Sequence, residues 1–173
     1  MKNHYNSIIL SAHPVWCGKM ASGEKDLEVR KRLPNLKPPF KVYLYCTRLS
    51  ELQYWKSASG AYVSEKARSV RDFCGAGRVI GEFTCSRIYR YSTREEISDD
   101  ISTDELIRRS CLTGRELYEY ECSVGYRFSP DERMGLKAME ITDLVLYDRP
   151  KLLRDFGVAK PPQSWFYVKK VPA

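Results

Sequence analysis

Apolar and polar residues alternate with period two from Asp26 to Arg30, and the basic Lys31 and Arg32 follow. This predicts a strand with Leu27 and Val29 on one face and Asp26, Glu28, Arg30 and Arg32 on the other. Ahead of it, Ile8 to Ala12 is an apolar run ending before Pro14, read as a strand. Pro14 to Ser22 reads as a short helix, with proline suited to its first position and Gly23 to a left-handed cap. Trp16, Cys17 and Met20 give that helix one apolar side. Residues 33–39 contain three prolines and read as a loop. Lys41 to Thr47 alternates Val42, Leu44 and Cys46 with Tyr43, Tyr45 and Thr47, a strand with an aliphatic and an aromatic face. Arg78 to Tyr91 is the longest strand run, with Val79, Phe83 and Cys85 expected opposite Ile80, Glu82 and Thr84.

Ser102-Thr103-Asp104-Glu105 is a capping box opening a helix to about Cys111, and Thr113 to Glu116 opens a second. Residues 123–135 read as a loop, Ala138 to Tyr147 as a strand, Leu152 to Phe156 as a helical turn, and Ser164 to Val171 as the closing strand. Residues 48–76 lack firm periodicity and suggest a helical excursion or a loop. Lys56, Tyr62, Lys66, Arg68 and Arg71 there mix charge with aromatic faces, as a nucleic-acid contact needs, although a solvated insertion has the same composition. The expected class is α+β, mainly β: five to seven strands with three or four short flanking helices. With no repeat or linker, residues 1–173 are expected to form a single domain.

Composition sharpens this picture in two ways. The net charge of +7 is segregated, with 16 Lys and Arg against 7 Asp and Glu in residues 16–94, and 6 against 14 in residues 95–148. Residues 149–173 return to 6 bases against one acid. A positive face that attracts polyanions follows if these blocks stay apart in space. Six scattered cysteines, without a Cys-x-x-Cys pair, suggest a reducing compartment. They and His4 and His13 make no standard zinc set, so neither metal nor cofactor is expected. No apolar run is long enough for a signal core or a membrane span, which makes the cytoplasm the expected location.

Two clusters could carry chemistry. In the first, Lys25 follows the Gly23 turn, and Glu28 and Arg30 share a strand face, with Lys31 and Arg32 beyond them. Arginine offers planar, bidentate recognition of phosphate or a base edge, and lysine adds a compact charge. The bland alternative is a surface ion pair between Glu28 and Arg30, of little energetic value. The second cluster is Gln163, Ser164 and Trp165, where an amide can read a base edge and an indole can stack. The structural alternative has Trp165 closing a barrel and Gln163 capping a backbone group, and for Trp165 it is preferred.

The order strand, helix, Gly23-x-Lys25-x-x-Glu28-x-Arg30-Lys31-Arg32 resembles the ASCH (activating signal cointegrator homology) family of the PUA-like fold. Lys41 to Thr47, Gly77 to Phe83, Ile141 to Leu144 and Pro161 to Trp165 extend the likeness over most of the chain, in the manner of bacterial and phage-type members. The resemblance implies a PUA-like barrel and three competing functions. One is a nucleic-acid-binding module, for RNA above all, using Lys25, Glu28, Arg30, Lys31, Arg32, Gln163, Ser164 and Trp165. A second is an enzyme, either a ribonuclease or an N4-acetylcytidine amidohydrolase, with Lys25 and Glu28 as candidates. Such hydrolases use a lysine, a threonine three residues later and a glutamate from elsewhere, whereas Glu28 stands at the threonine position here, so only a general-base role remains open to it. The third is a protein-binding adaptor working through the acidic 95–121 region. The binding module is the favoured expectation.

Overall fold

The computed structural model describes residues 6–48, 53–56, 62–65, 77–92, 100–123 and 135–169. A six-stranded mixed sheet runs β2-β7-β6-β3-β1-β8, formed by Ser7–Ala12 (β1), Leu27–Arg30 (β2), Phe40–Cys46 (β3), Arg78–Tyr91 (β6), Leu136–Lys151 (β7) and Trp165–Val168 (β8). Gln53–Lys56 (β4) and Tyr62–Glu65 (β5) form a separate antiparallel pair where the sequence suggested a helix or a loop. Of the basic and aromatic residues noted there, Lys66, Arg68 and Arg71 lie outside the described residues.

β1 sits between β3, to which it is parallel, and β8, to which it is antiparallel. Its Ile8, Ile9 and Leu10 are all fully buried, which is why it reads as an unbroken aliphatic run. Among the described residues, three α-helices pack around the sheet: α1 (Pro14–Ala21), α2 (Thr103–Ser110) and α3 (Gly114–Cys122). Pro14 opens α1, and Gly23, at φ 79°, turns the chain toward β2. Ser102 accepts from Glu105 N at the start of α2, and Thr113 with Glu116 makes a complete capping box on α3. α2 and α3 bury Leu106 and Leu117 against Leu27 and Val29, the apolar face predicted for β2. α1 buries Cys17 and Met20 against Leu44, Cys46 and Ile80.

The long strands bend through register shifts between β6 and β7, at Val79/Gly81, Glu82/Thr84 and Cys85/Ile88. Such bulges increase twist and let a sheet curl. They also correct the simple alternation expected for β6. Val79 packs with Tyr43 and Tyr45 on one side of the sheet, while Phe83 and Cys85 join Ile8, Val42 and Met139 elsewhere in the core. β7, at 16 residues, outruns β6 at 14 and extends past both ends of the predicted strand.

Candidate functional site

Curling brings the two edges of the sheet, β2 and β8, toward each other, and polar bonds join them. Trp165 Nε1 donates to Arg32 O at 2.9 Å, and Asn35 N donates to the Tyr167 hydroxyl at 2.8 Å. Arg30 Nη2 donates to Ser11 O at 2.6 Å, reaching β1 from β2. Ser11 is itself pinned to the segment before β8, its N donating to Ser164 O and its Oγ to Pro162 O.

Along this seam lies an open cleft of about 690 Å³. Lys31 and Arg32 form one wall, Pro162 to Phe166 the other, and Tyr120 of α3 a third side. Lys31 Nζ lies 4.6 Å from the Tyr120 ring centre, a cation–π contact, and donates to Ser123 Oγ. Desolvation lowers the Lys31 pKa. Arg32 and Gln163 are exposed, and Phe166 presents an aromatic ring at 53% exposure. Trp165 stands edge-on to Tyr167, ring centres 5.1 Å apart, so its ring is held while also lining the cleft.

Lys25, Glu28 and Arg30 lie at the base of this wall, and their surroundings differ from the expectation. Lys25 and Glu28 are only 3% and 5% exposed. Lys25 Nζ donates to Leu27 O at 2.6 Å and Ser110 O at 2.8 Å, and pairs with Glu28 Oε2 at 3.3 Å beneath the Trp16 ring. Burial lowers its pKa, and the Glu28 carboxylate opposes that shift. Glu28 Oε1 accepts from Arg30 Nε at 2.8 Å and lies 2.6 Å from Nη2. Arg30 Nη1 points to Ser164 Oγ at 3.4 Å, the link between this network and the cleft wall. The surface ion pair considered for Glu28 and Arg30 is therefore a buried network. Lys25 is buried between Trp16 of α1 and Ser110 at the end of α2, and Glu28 between the two cations, surroundings that the local pattern did not reveal.

The structure thus gathers Lys31, Arg32, Gln163, Ser164 and Trp165 around one cleft, with Arg30 touching its wall and Lys25 and Glu28 behind it. Sequence reasoning missed Tyr120 and Phe166. The aromatic pair Trp165-Phe166, which puts a ring on each face of β8, was the available signal for the second. Arg109 was missed too: it bonds Asp26, Glu105, Glu140 and Tyr89, tying α2 to the sheet.

Comparison with solved structures fits this architecture. An ASCH protein from Zymomonas mobilis superposes with a TM-score of 0.60 at 18% identity, covering 95% of this chain and 89% of the other. The chain has the ASCH fold. A tyrosine-to-phenylalanine variant of the Zymomonas protein matches at 0.57 and 17%, over 95% of this chain and 91% of that one. A serine-to-alanine variant gives 0.58 and 17%, over 96% and 90%. No family model matches the sequence, and no curated protein matches it either. Among the described residues of this ASCH fold, no helix is long and apolar enough to cross a membrane.

Proposed function

We propose that this protein binds nucleic acid, RNA foremost, in the seam cleft between β2 and β8, as a module of the cytoplasm. The observation that carries this reading is the make-up of the cleft: two cations, three aromatic rings and an exposed amide, with no carboxylate among its described lining residues. Phosphates need the charge of Lys31 and Arg32, and bases need stacking faces such as Phe166. Gln163 and Ser164 supply hydrogen-bonding groups for a base edge. The cleft is open rather than enclosed, which suits a strand better than an enclosed nucleoside.

The enzymatic reading is the weaker one. Both oxygens of Glu28 are engaged, Oε1 by Arg30 and Oε2 by Lys25, so neither is placed to activate water. Fluorescence anisotropy with a labelled single-stranded RNA tests the proposal. Arg32→Ala and Phe166→Ala are expected to weaken binding without altering the melting temperature. No binding of RNA or DNA by the wild type at low salt overturns it, and directs attention to the adaptor role.

A further inference from the structure

We propose that Lys25 is a positioning residue of the cleft, holding Glu28 so that Glu28 fixes the Arg30 guanidinium against Ser164. Its effect on ligand affinity rests on the binding function proposed above; its effect on Arg30 does not.

The geometry leaves Lys25 no other role toward a ligand. An ammonium has three N–H groups, and three acceptors surround this one: Leu27 O at 2.6 Å, Ser110 O at 2.8 Å and Glu28 Oε2 at 3.3 Å. A neutral amine has only two N–H groups and would leave one acceptor without a donor. Lys25 is therefore a charged, fully engaged group under Trp16, out of reach of a molecule in the cleft. Its pull on Oε2 sets the rotation of the Glu28 carboxylate and presents Oε1 to Arg30 Nε at 2.8 Å. With Nε held there and Nη2 held by Ser11 O at 2.6 Å, the guanidinium plane is fixed at two points. Nη1 is the edge left toward the cleft, where its contact among the described residues is the long one to Ser164 Oγ at 3.4 Å. A phosphate or base oxygen entering beside Ser164 would meet a donor already oriented.

Lys25 also ties the last turn of α2 to β2 through Ser110 O, so a loss of stability alone would not separate positioning from scaffolding. The test is the Arg30 Nε–Hε signal in the NMR spectrum of ligand-free full-length protein, assigned by its loss in Arg30→Lys. In the wild type this proton should exchange slowly with solvent. In Lys25→Met, which keeps the aliphatic stem, the signal should shift and its exchange should quicken by about tenfold, a size usual for coupling between contacting groups. Leu106→Ala, which loosens α2 without touching Glu28, should leave the signal in place. Glu28→Gln, of the same shape, should displace it as Lys25→Met does, and serves if Lys25→Met does not fold. An unchanged signal in Lys25→Met or Glu28→Gln, or an equal change in Leu106→Ala, overturns the proposal. Binding of a labelled single-stranded RNA is measured on the same samples. Absence of binding by the wild type refutes the RNA function, while the NMR signal still decides the role of Lys25.

Discussion

Glu28 accepts from cations on both sides, and that fact decides what substitutions in the signature strand do. Read from sequence as surface groups, Lys25 and Arg30 should tolerate alanine with little loss of stability. With Lys25 and Glu28 buried and Arg30 half-buried, removing one partner leaves the other charge uncompensated. Lys25→Ala should cost about 3–5 kcal/mol, measured by denaturant unfolding; a loss below about 1 kcal/mol would show that water reaches Glu28. The same commitment bears on chemistry. Native protein should release no acetate from N4-acetylcytidine in a chromatographic assay, and turnover that disappears in Glu28→Gln would make Glu28 a catalytic base after all. Glu140 gives a pH prediction. Bonds from Arg109 and Ser86, with a further one from Tyr89, hold its pKa below the ordinary 4.5. The folded state therefore binds this proton less readily than the unfolded chain. Its stabilising contribution is present above pH 4.5 and fades as pH falls through the lower folded value. The melting temperature should drop below pH 4.5, and Glu140→Gln should flatten that drop; an equally steep drop in the variant would assign acid unfolding to other carboxylates.

At the scale of elements, packing decides which sequence signals survive. Leu27 is fully buried between the sheet and α2–α3, so Leu27→Ala should destabilise by about 2–5 kcal/mol in denaturant unfolding. Gly81 is constrained differently. A Cβ there would lie 2.4 Å from Val145 O and 3.1 Å from Leu146 Cα, where β6 and β7 cross a register shift. Gly81→Ala should force the strands apart and cost about 1–3 kcal/mol, and a neutral result would show that the bulge can migrate. The alternation at Leu27–Arg30, the aliphatic run of β1 and the caps of α2 and α3 were legible because each is a local rule. The pairing of β4 and β5 was not, since each strand is four residues long and neither alternates apolar with polar positions. The C-terminal end of β7 was missed because Asp148 to Lys151 is polar and carries Pro150, which a strand end tolerates. The site divides in the same way. Lys31, Arg32, Gln163 and Ser164 could be named from residue type, but the burial of Lys25 depends on Ser110, 85 residues away, and on Trp16.

For the molecule as a whole, the seam joins the two basic segments of the chain, with β2 from the first and β8 from the last. The acidic segment contributes mainly α2, α3 and β7, and reaches the cleft through the uncharged Tyr120. Net charge alone would let the protein attract any polyanion, so affinity at one salt concentration cannot locate the contact. The salt dependence can. Binding to a single-stranded RNA should weaken with rising salt, with a log–log slope of about −0.7 per phosphate neutralised. A Lys31→Ala, Arg32→Ala double variant, measured by anisotropy across the same salt series as the wild type, should have a slope shallower by about 1.4. An identical slope in both proteins would place the phosphates elsewhere and contradict the assignment of the cleft.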